Sequence, residues 1–373
     1  MPRLPFARCA AAFAALAAFA SLSLAAPKAP APAAETANGE KDKLTGTEFK
    51  ADKDMARVLE AWIALNPKPL STLDPATART QPTPADAALA VLKQKEKGKE
   101  VSPASLVPGV TSVDREIKGP ARALPARIYT PDGAGPFPVV VYYHGGGWVL
   151  ANKAVYDAGA RGLAKQANAV LVSVDYRLAP EAKFPAQQVD AMATYEWVLQ
   201  NAASIKGDPK RVAVAGESAG GSLALSTALT ARDRKLQAPV HVLAIYPITQ
   251  LYWFESPSYV DSATARPLDK AAMQWFASKV FIDPADKNDP RIDLVNANLK
   301  GLPPVTLINA QIDPLRSDGD LLAEALHKAG VTVDHKIYNG VTHEFFGMAA
   351  VVDKAKEAQA YAGKQLKKAF GEK

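Results

Sequence analysis

Cysteine is almost absent from this sequence. The one cysteine among its 373 residues is Cys9, which lies in an N-terminal segment that we predict to be removed. The remaining chain then has no thiol, which excludes structural disulfides, a cysteine nucleophile and cysteine-ligated zinc. Histidine is also scarce, with five residues, and no pair of them has the HExxH spacing of a zinc site. We therefore expect neither a metal nor another cofactor.

A concentrated patch of charge of one sign is missing as well. The formal net charge is +6 at pH 7, but lysines and arginines are interspersed with acidic residues along the chain. Nucleic-acid binding needs a basic cluster or stripe, so we expect no nucleic acid partner. With 22% charged and 48% hydrophobic residues, the composition is that of a globular protein.

Long hydrophobic runs are confined to the N-terminus. "MPRLPFAR" supplies two arginines, and the alanine-rich "CAAAFAALAAFASLSLAA" follows it. The small residues Ser23 and Ala25 favour cleavage after Ala25, so we predict a signal peptide over residues 1–25 and a periplasmic or secreted protein. An uncleaved membrane anchor is the alternative, and after cleavage we expect no stable membrane insertion. Residues 26–44 are rich in proline, alanine and then charge, which predicts a flexible linker.

The rest of the chain is predicted to be an α/β domain preceded by helices. Residues 45–110 contain two stretches with apolar residues at helical spacing, separated by prolines. Residues 111–373 then alternate strands with helices, and strands such as "PVVVYYH" and "AVLVSVDYR" are near-continuous apolar runs. Such runs indicate parallel strands buried on both faces. An aromatic-rich, partly helical insertion at about 250–300 interrupts the alternation.

The segment "RVAVAGESAGGSLALSTALTA" predicts a nucleophile. A strand ending near Ala215 meets a helix beginning near Ser218, and the junction reads G-E-S-A-G. Between a strand and a helix, the G-x-S-x-G pattern indicates a nucleophile elbow, which lifts the Ser218 hydroxyl clear of the sheet. The helix N-terminus adds free N–H groups and a positive dipole where an anion would form. The alternative interpretation is a tight turn with a chance serine.

A serine nucleophile needs a histidine base, and that histidine needs an acid. In this fold class the acid and then the base follow the serine, each in a loop after a later strand. Asp313 directly follows one predicted strand, and His343 lies beyond the next strand, which is predicted to end near Tyr338. Asp318 is the rival acid. Three other histidines lie in strands or on a helix and are expected to be structural: His241, His327 and His335.

Three consecutive glycines, Gly145, Gly146 and Gly147, follow a predicted strand. Attack on an ester carbonyl places negative charge on its oxygen, and backbone N–H groups aimed at that oxygen lower the barrier. Such groups converge on one atom only if no side chain lies in front of them. The three glycines, together with the N–H of Ala219, are therefore predicted to form an oxyanion hole. The alternative is a flexible hairpin tip.

Together these motifs resemble the bacterial hormone-sensitive-lipase-like esterases, family IV of the α/β-hydrolases. The resemblance rests on "HGGGW" (144–148), "VDYRLAPE" (174–181), "GESAGG" (216–221), "DPLRSDG" (313–319) and the loop of His343. It implies an α/β-hydrolase fold, which is a mostly parallel central sheet flanked by helices. It also implies a helical cap built from the N-terminal segment and the insertion.

The resemblance also implies roles for particular residues. Gly146 and Gly147 would carry the oxyanion hole, with Gly145 beside them. The chain departs from the family pattern at Glu344, where glycine commonly follows the histidine, and at Glu217, where aspartate is frequent. A carboxylate at 344 would raise the pKa of the histidine or face solvent. Three polar residues would brace the glycine loop: Asp175, Arg177 and Glu181.

We therefore expect a serine carboxylesterase that hydrolyses short to medium acyl esters through an acyl-enzyme on Ser218, with His343 as base and Asp313 as acid. Its partner would be a small-molecule ester, and the sequence also allows a homodimer. The same triad fits an amidase, a lactonase or a carbohydrate deacetylase, because these enzymes differ in pocket shape. A non-catalytic small-molecule-binding homologue is a further alternative, although such proteins tend to lose the serine or the histidine.

Overall fold

The computed structural model describes residues 41–97, 101 and 103–372. The predicted signal peptide over 1–25 and residues 26–40 of the predicted linker lie outside the described residues, so both stay predictions. None of the helices in the described part of the chain is long and apolar enough to cross a bilayer.

Strands and helices alternate through most of the described chain. The strands are β1 Val110–Ile117, β2 Leu124–Pro131, β3 Phe137–Tyr143, β4 Val170–Val174, β5 Gly207–Glu217, β6 Val242–Ile245, β7 Val305–Ile312 and β8 Val333–Thr342. The α-helices are α1 Lys53–Ala64, α2 Pro75–Ala78, α3 Pro84–Lys95, α4 Pro103–Leu106, α5 Asp157–Ala167, α6 Ala186–Asn201, α7 Ala219–Asp233, α8 Pro257–Asp261, α9 Lys270–Val280, α10 Arg316–Lys328 and α11 Asp353–Ala369. Short 3₁₀ helices span Leu70–Thr72, Ala202–Ile205, Pro284–Asn288 and Phe345–Met348.

The strands form one mostly parallel sheet in the order β1-β2-β4-β3-β5-β6-β7-β8. From β4 to β8 every neighbouring pair is parallel, whereas β1 pairs with β2 and β2 with β4 in antiparallel register. Val141 of β3 pairs with Val172 of β4 on one side and with Val214 of β5 on the other. The strand order therefore reverses at β3, and a crevice opens beyond the carboxyl ends of the strands at such a reversal.

Both faces of the sheet are buried, which explains the continuous apolar runs. In β3, Val139, Val141 and Tyr143 belong to one hydrophobic cluster, and Val140 and Tyr142 belong to the cluster on the other face. Helices α6, α7 and α10 pack on the first face, and α5 and α11 pack on the second. Each fully buried valine contributes roughly 1.5–3 kcal/mol through removal of its side chain from water. The predicted α/β architecture is confirmed.

The N-terminal segment packs partly into this core. Met55, Val58 and Leu59 of α1 are buried in the cluster on the second face. The N–H of Asp52, just before α1, donates to the carbonyl of Gly340 in β8 over 2.8 Å. Helix α1 is thus anchored to the sheet directly.

Residues 41–49 also bind the long connection between β6 and β7, which contains α8 and α9. The Arg266 N–H donates to the Thr45 carbonyl over 2.9 Å, and the Arg266 guanidinium donates to the Lys43 carbonyl over 2.6 Å. The Thr264 hydroxyl donates to the Gly46 carbonyl over 2.7 Å. The chain's two predicted cap pieces, 45–110 and about 250–300, are therefore in contact, while their boundaries as a cap stay a prediction.

Candidate active site

The predicted site residues lie in loops at the carboxyl ends of neighbouring strands. Ser218 directly follows β5, and Asp313 directly follows β7. His343 directly follows β8, which runs on to Thr342 instead of ending near Tyr338 as predicted. Because parallel strands place their carboxyl ends at one edge of the sheet, three residues far apart in sequence meet there.

Ser218, His343 and Asp313 form a continuous hydrogen-bonded chain. The His343 Nε2 atom lies 3.0 Å from the Ser218 Oγ atom, and His343 Nδ1 lies 2.7 Å from Asp313 Oδ2. The other carboxylate oxygen of Asp313 accepts the N–H of Leu315 over 2.8 Å, which fixes the carboxylate plane. The Tyr246 ring packs 4.5 Å from the imidazole. All three predicted residues are brought together in the order that a nucleophile, a base and an acid require.

The backbone at Ser218 has the strained conformation of a nucleophile elbow. Its φ of 55° and ψ of −120° lie in a region that L-residues rarely adopt, and the residue immediately precedes α7. A Cβ at Gly220 would lie 2.0 Å from the carbonyl oxygen of Tyr143, so only glycine lets α7 pass this close to β3. The turn therefore holds the hydroxyl above the edge of the sheet.

The imidazole of His343 is protonated more readily in the folded protein than it would be in water. Burial by itself disfavours the cation, but the negative charge of Asp313 and its hydrogen bond outweigh that cost, and the Glu344 charge adds to them. The pKa of His343 is therefore raised above its ordinary value. Asp313 thus stabilises the imidazolium that would form during proton transfer.

Asp318, the rival acid, does not reach the histidine. Its Oδ2 atom accepts the N–H of Thr249 over 2.9 Å and the Thr249 hydroxyl over 3.1 Å. Burial raises the pKa of Asp318 to about 7. Asp318 lies in the first turn of α10 and ties this helix to the chain that follows β6.

The glycine loop beyond β3 requires glycine for steric reasons. Gly146 has φ +95° and Gly147 has φ +60°, where side chains are strained. A Cβ at Gly146 would lie 2.3 Å from the Leu150 carbonyl oxygen, and one at Gly147 would lie 2.2 Å from the Phe276 ring. Within the described chain, the N–H groups of Gly146 and Gly147 donate to no backbone carbonyl. Ala219 is the first residue of α7, so its N–H also lacks a partner within the helix.

The first glycine of the loop packs against a tyrosine. A Cβ at Gly145 would lie 2.2 Å from the hydroxyl oxygen of Tyr156 and 3.1 Å from the Glu217 carbonyl oxygen. Gly145 therefore has no room for a side chain between Tyr156 and the backbone of Glu217.

Glu181 braces the chain that follows the glycines. Arg79 binds both Glu181 carboxylate oxygens over 2.8 Å and donates from Nε to the Val149 carbonyl over 2.9 Å. The same guanidinium donates to the Ala179 carbonyl over 2.8 Å. One N-terminal arginine thus links the predicted bracing glutamate to the glycine loop.

Asp175 and Arg177 have separate partners. The Asp175 carboxylate accepts the N–H of Lys153 over 2.6 Å and its ammonium over 2.8 Å, and so holds the chain just after the loop. Arg177 instead pairs with the buried Asp190 of α6 over 2.7 Å. The predicted bracing role thus fits Asp175 and Glu181, while Arg177 ties its own loop to α6.

Three buried tyrosines around the site had no sequence signal as site residues. Tyr142 and Tyr246 donate to the two carboxyl oxygens of Glu217, and Tyr156 donates to Oε1 of Glu344 over 2.6 Å. Burial and then the Glu344 charge raise the pKa of Glu217 to about 8. The sequence does not show that these tyrosines bind Glu217 and Glu344, because each tyrosine is far from its partner in sequence. The pairs form only when β3, β6 and α5 pack together.

Ser218 and His343 face an open cleft. Its apolar lining comes from both the N-terminal segment and the insertion: Trp62, Leu92, Leu268, Met273 and Phe276. Trp275 of the insertion is buried against the N-terminal segment, because its Nε1 donates to the Leu73 carbonyl over 2.9 Å and only 6% of the residue is exposed. Across the described residues, no group of three or more His, Asp or Glu side chains is arranged to hold a metal ion.

The sequence and the fold of this chain are similar to those of known esterases. The family described as alpha/beta hydrolase fold matches residues 140–347. Carboxylesterase NlhH of Mycobacterium tuberculosis is 40% identical over 252 residues, which cover 66% of this chain and 79% of that protein. Ethyl acetate hydrolase of Pseudomonas putida is 34% identical over 239 residues, covering 63% of this chain and 75% of that protein. The solved structure of a hyperthermophilic esterase from the archaeon Pyrobaculum calidifontis has a TM-score of 0.73 at 36% identity, covering 80% of this chain and 95% of that one.

Proposed function

Because this chain belongs to the α/β-hydrolase fold family, in its hormone-sensitive-lipase-like branch (family IV), and is a carboxylic ester hydrolase, we propose that it cleaves short to medium acyl esters through an acyl-enzyme on Ser218. The observation that carries this proposal is the continuous hydrogen-bonded chain from the Ser218 hydroxyl through His343 to Asp313. A hydroxyl, an imidazole and a carboxylate in this order are the parts of a serine hydrolase triad.

In the acylation step, His343 Nε2 accepts the proton of Ser218 while the serine oxygen attacks the ester carbonyl carbon. The carbonyl oxygen becomes an anion and binds the N–H groups of Gly146, Gly147 and Ala219. When the tetrahedral intermediate collapses, the bond to the alcohol oxygen breaks and that oxygen takes the proton from Nε2. Asp313 holds the Nδ1 proton throughout, so that Nε2 is the atom that exchanges protons.

The substrate class follows from the cleft. Its apolar side chains, among them Met273 and Phe276, suit an acyl chain of limited length beside the serine. One relative is named for ethyl acetate hydrolysis, which concerns a short ester. We assign residues 45–110 and about 250–300 to a cap that limits the length of the acyl chain.

The proposal is tested with purified protein and p-nitrophenyl esters of increasing acyl length, from acetate to laurate. Ser218→Ala is measured beside the wild type, and Ser204→Ala, at an exposed serine away from the cleft, is the matched control. We expect the rate to peak with a short or medium chain and to vanish with Ser218→Ala. A p-nitrophenyl phosphonate should label the peptide that contains Ser218. Equal rates for wild type and Ser218→Ala would overturn the proposal.

We also propose that the protein is exported to the periplasm or secreted, on the basis of the sequence of residues 1–25. N-terminal sequencing of exported material should then begin at Ala26 or within a residue or two of it. Recovery of a full-length, membrane-bound chain would overturn this assignment. The homodimer stays a prediction, and size-exclusion chromatography of the same material measures it.

A further inference from the structure

Glu344 lies where a carboxylate can act on the reaction itself. The residue adopts a left-handed backbone conformation with φ 71°, directly after His343. Its side chain is only 22% exposed and lines the cleft. The Oε1 atom is 4.0 Å from His343 Nε2, the same nitrogen that lies 3.0 Å from Ser218 Oγ.

The carboxyl group is held in place from one side. Tyr156 is 5% exposed and donates its hydroxyl to Oε1 over 2.6 Å, and that hydroxyl is wedged against Gly145. Among the described residues, none donates a hydrogen bond to Oε2 of Glu344. The group is therefore fixed in direction and keeps acceptor capacity for a molecule in the cleft.

The distance between Glu344 Oε1 and His343 Nε2 defines a position between them. Two atoms 4.0 Å apart can both lie at a hydrogen-bond distance of about 2.8 Å from one oxygen. The leaving alcohol must approach Nε2 to receive its proton, and after it departs a water molecule takes its place. That water can donate one hydrogen to Nε2 and the other to the Glu344 carboxyl.

We propose that Glu344 is a positioning residue for the water that hydrolyses the acyl-enzyme. This inference rests on the proposed function, because it needs an acyl group on Ser218. Glu344 orients the water so that an oxygen lone pair points at the acyl carbon while the proton to be removed points at His343. An ionised and a protonated carboxyl both retain an acceptor oxygen, so the role does not depend on the charge of Glu344.

The atoms of this step balance. The water oxygen forms a bond to the acyl carbon and gives one proton to Nε2. Its other hydrogen stays covalently on that oxygen and donates a hydrogen bond to the Glu344 carboxyl group during the attack. The tetrahedral intermediate then expels the Ser218 oxygen, which takes the proton back from Nε2. The carboxylic acid leaves, and the enzyme returns to its starting state.

The test separates acylation from deacylation with p-nitrophenyl butyrate, whose leaving group departs easily. In an acyl-enzyme mechanism kcat/KM reports only the steps through acylation, whereas kcat includes deacylation. Glu344→Gly suits the left-handed backbone and removes the acceptor, so we expect kcat to fall by about tenfold with kcat/KM unchanged within about twofold. A burst of p-nitrophenol should appear, and mass spectrometry should detect butyryl-Ser218.

Two further variants control the experiment. Glu344→Gln keeps an acceptor oxygen without the charge, so its kcat should stay within about threefold of the wild type. Asn168→Gly makes the same change to glycine at another left-handed residue, an exposed one at the end of α5, and should leave kcat and kcat/KM unaltered. The proposal is overturned if Glu344→Gly lowers kcat and kcat/KM together, if it alters neither, or if Glu344→Gln loses as much as Glu344→Gly.

These outcomes are distinct from a failure of the proposed function. If Ser218→Ala is inactive and the phosphonate labels Ser218, the ester hydrolase mechanism stands whatever the Glu344 variants do. If Ser218→Ala remains active, no acyl-enzyme on Ser218 exists and the water has nothing to attack, so both proposals fall together.

Discussion

Gly147→Ala adds one methyl group at the point where the glycine loop passes the Phe276 ring. The new Cβ would lie 2.2 Å from a ring carbon, and the φ of +60° strains any residue with a side chain. Either the ring or the loop must move, and a shifted loop would no longer aim the Gly147 N–H at the proposed oxyanion position. Loss of one such donor costs about 10²–10³ in rate, which is about 2.7–4 kcal/mol. We therefore expect kcat/KM for p-nitrophenyl butyrate to fall by that factor.

The control for backbone strain is Gly330→Ala. Gly330 has φ +75°, but no heavy atom lies within 4 Å of the added Cβ, so this variant carries the strain without the clash. It should lower Tm with no change in kcat/KM. In a Phe276→Ala background the clash with the ring is removed, and the additional loss caused by Gly147→Ala should shrink to about tenfold or less. If Gly147→Ala is folded and keeps kcat/KM within about threefold of wild type, its N–H is not an oxyanion donor.

The remaining predictions concern the groups around the triad. His343 must be neutral to accept the serine proton, so kcat/KM should fall as the pH drops through the raised pKa of His343. A pH–rate profile with an inflection below 6.5 would contradict this. Asp313→Asn should lower kcat by about 10⁴, whereas Asp318→Asn should retain kcat within about tenfold in the same assay. The pKa of Asp318 rises from 3.8 to about 7 on folding, so its contribution to stability is present below pH 3.8 and lost as pH rises through 7. The Tm difference between Asp318→Asn and wild type should therefore favour the variant more at pH 8 than at pH 4. A Tm difference that does not change with pH would contradict this. Tyr246→Phe removes one of the two hydrogen-bond donors to Glu217 and should lower the free energy of unfolding in urea by about 1–3 kcal/mol. An unchanged midpoint of urea unfolding would show that this hydrogen bond does not stabilise the fold.

Much of the fold is readable from the sequence because it depends on local patterns. The apolar runs that predict buried parallel strands correspond to β3 to β8, and the motif around Ser218 correctly places a turn between a strand and a helix. Topology then requires that loops after parallel strands meet at one edge. This is why Asp313 and His343 could be selected from their positions alone, and the structure brings them together with Ser218. Their catalytic roles stay a prediction until the variants are measured.

The end of β8 was predicted too early for a definable reason. "YNG" at 338–340 has the composition of a turn, and Gly340 does adopt φ +70°. The strand nevertheless continues, because β7 shifts register between Ala310 and Ile312 and then pairs Ile312 with Thr342. The Gly340 N–H meanwhile donates to the Gln311 side chain over 2.9 Å. These long-range partners override the local turn signal.

The polar network around the histidine could not be predicted from the sequence. Tyr246 reaches Glu217 only because β6 lies beside β5, and Tyr156 reaches Glu344 across 188 positions of sequence. No periodicity or motif connects such pairs. The sequence identified Glu344 as unusual, and the structure adds the tyrosine that orients it.

The hydrogen bonds between residues 43–46 and residues 264–266 have a consequence for attempts to change selectivity by exchanging segments between related enzymes. Arg266 recognises carbonyl groups of the N-terminal chain, and Thr264 recognises the Gly46 carbonyl, so the two segments are matched in register. A chimera that replaces residues 264–266 alone would lose the side-chain donors of Thr264 and Arg266 and shift Leu268 at the cleft wall. Exchanging both segments together preserves these hydrogen bonds, so recombination libraries for this enzyme should always exchange the two segments as a pair.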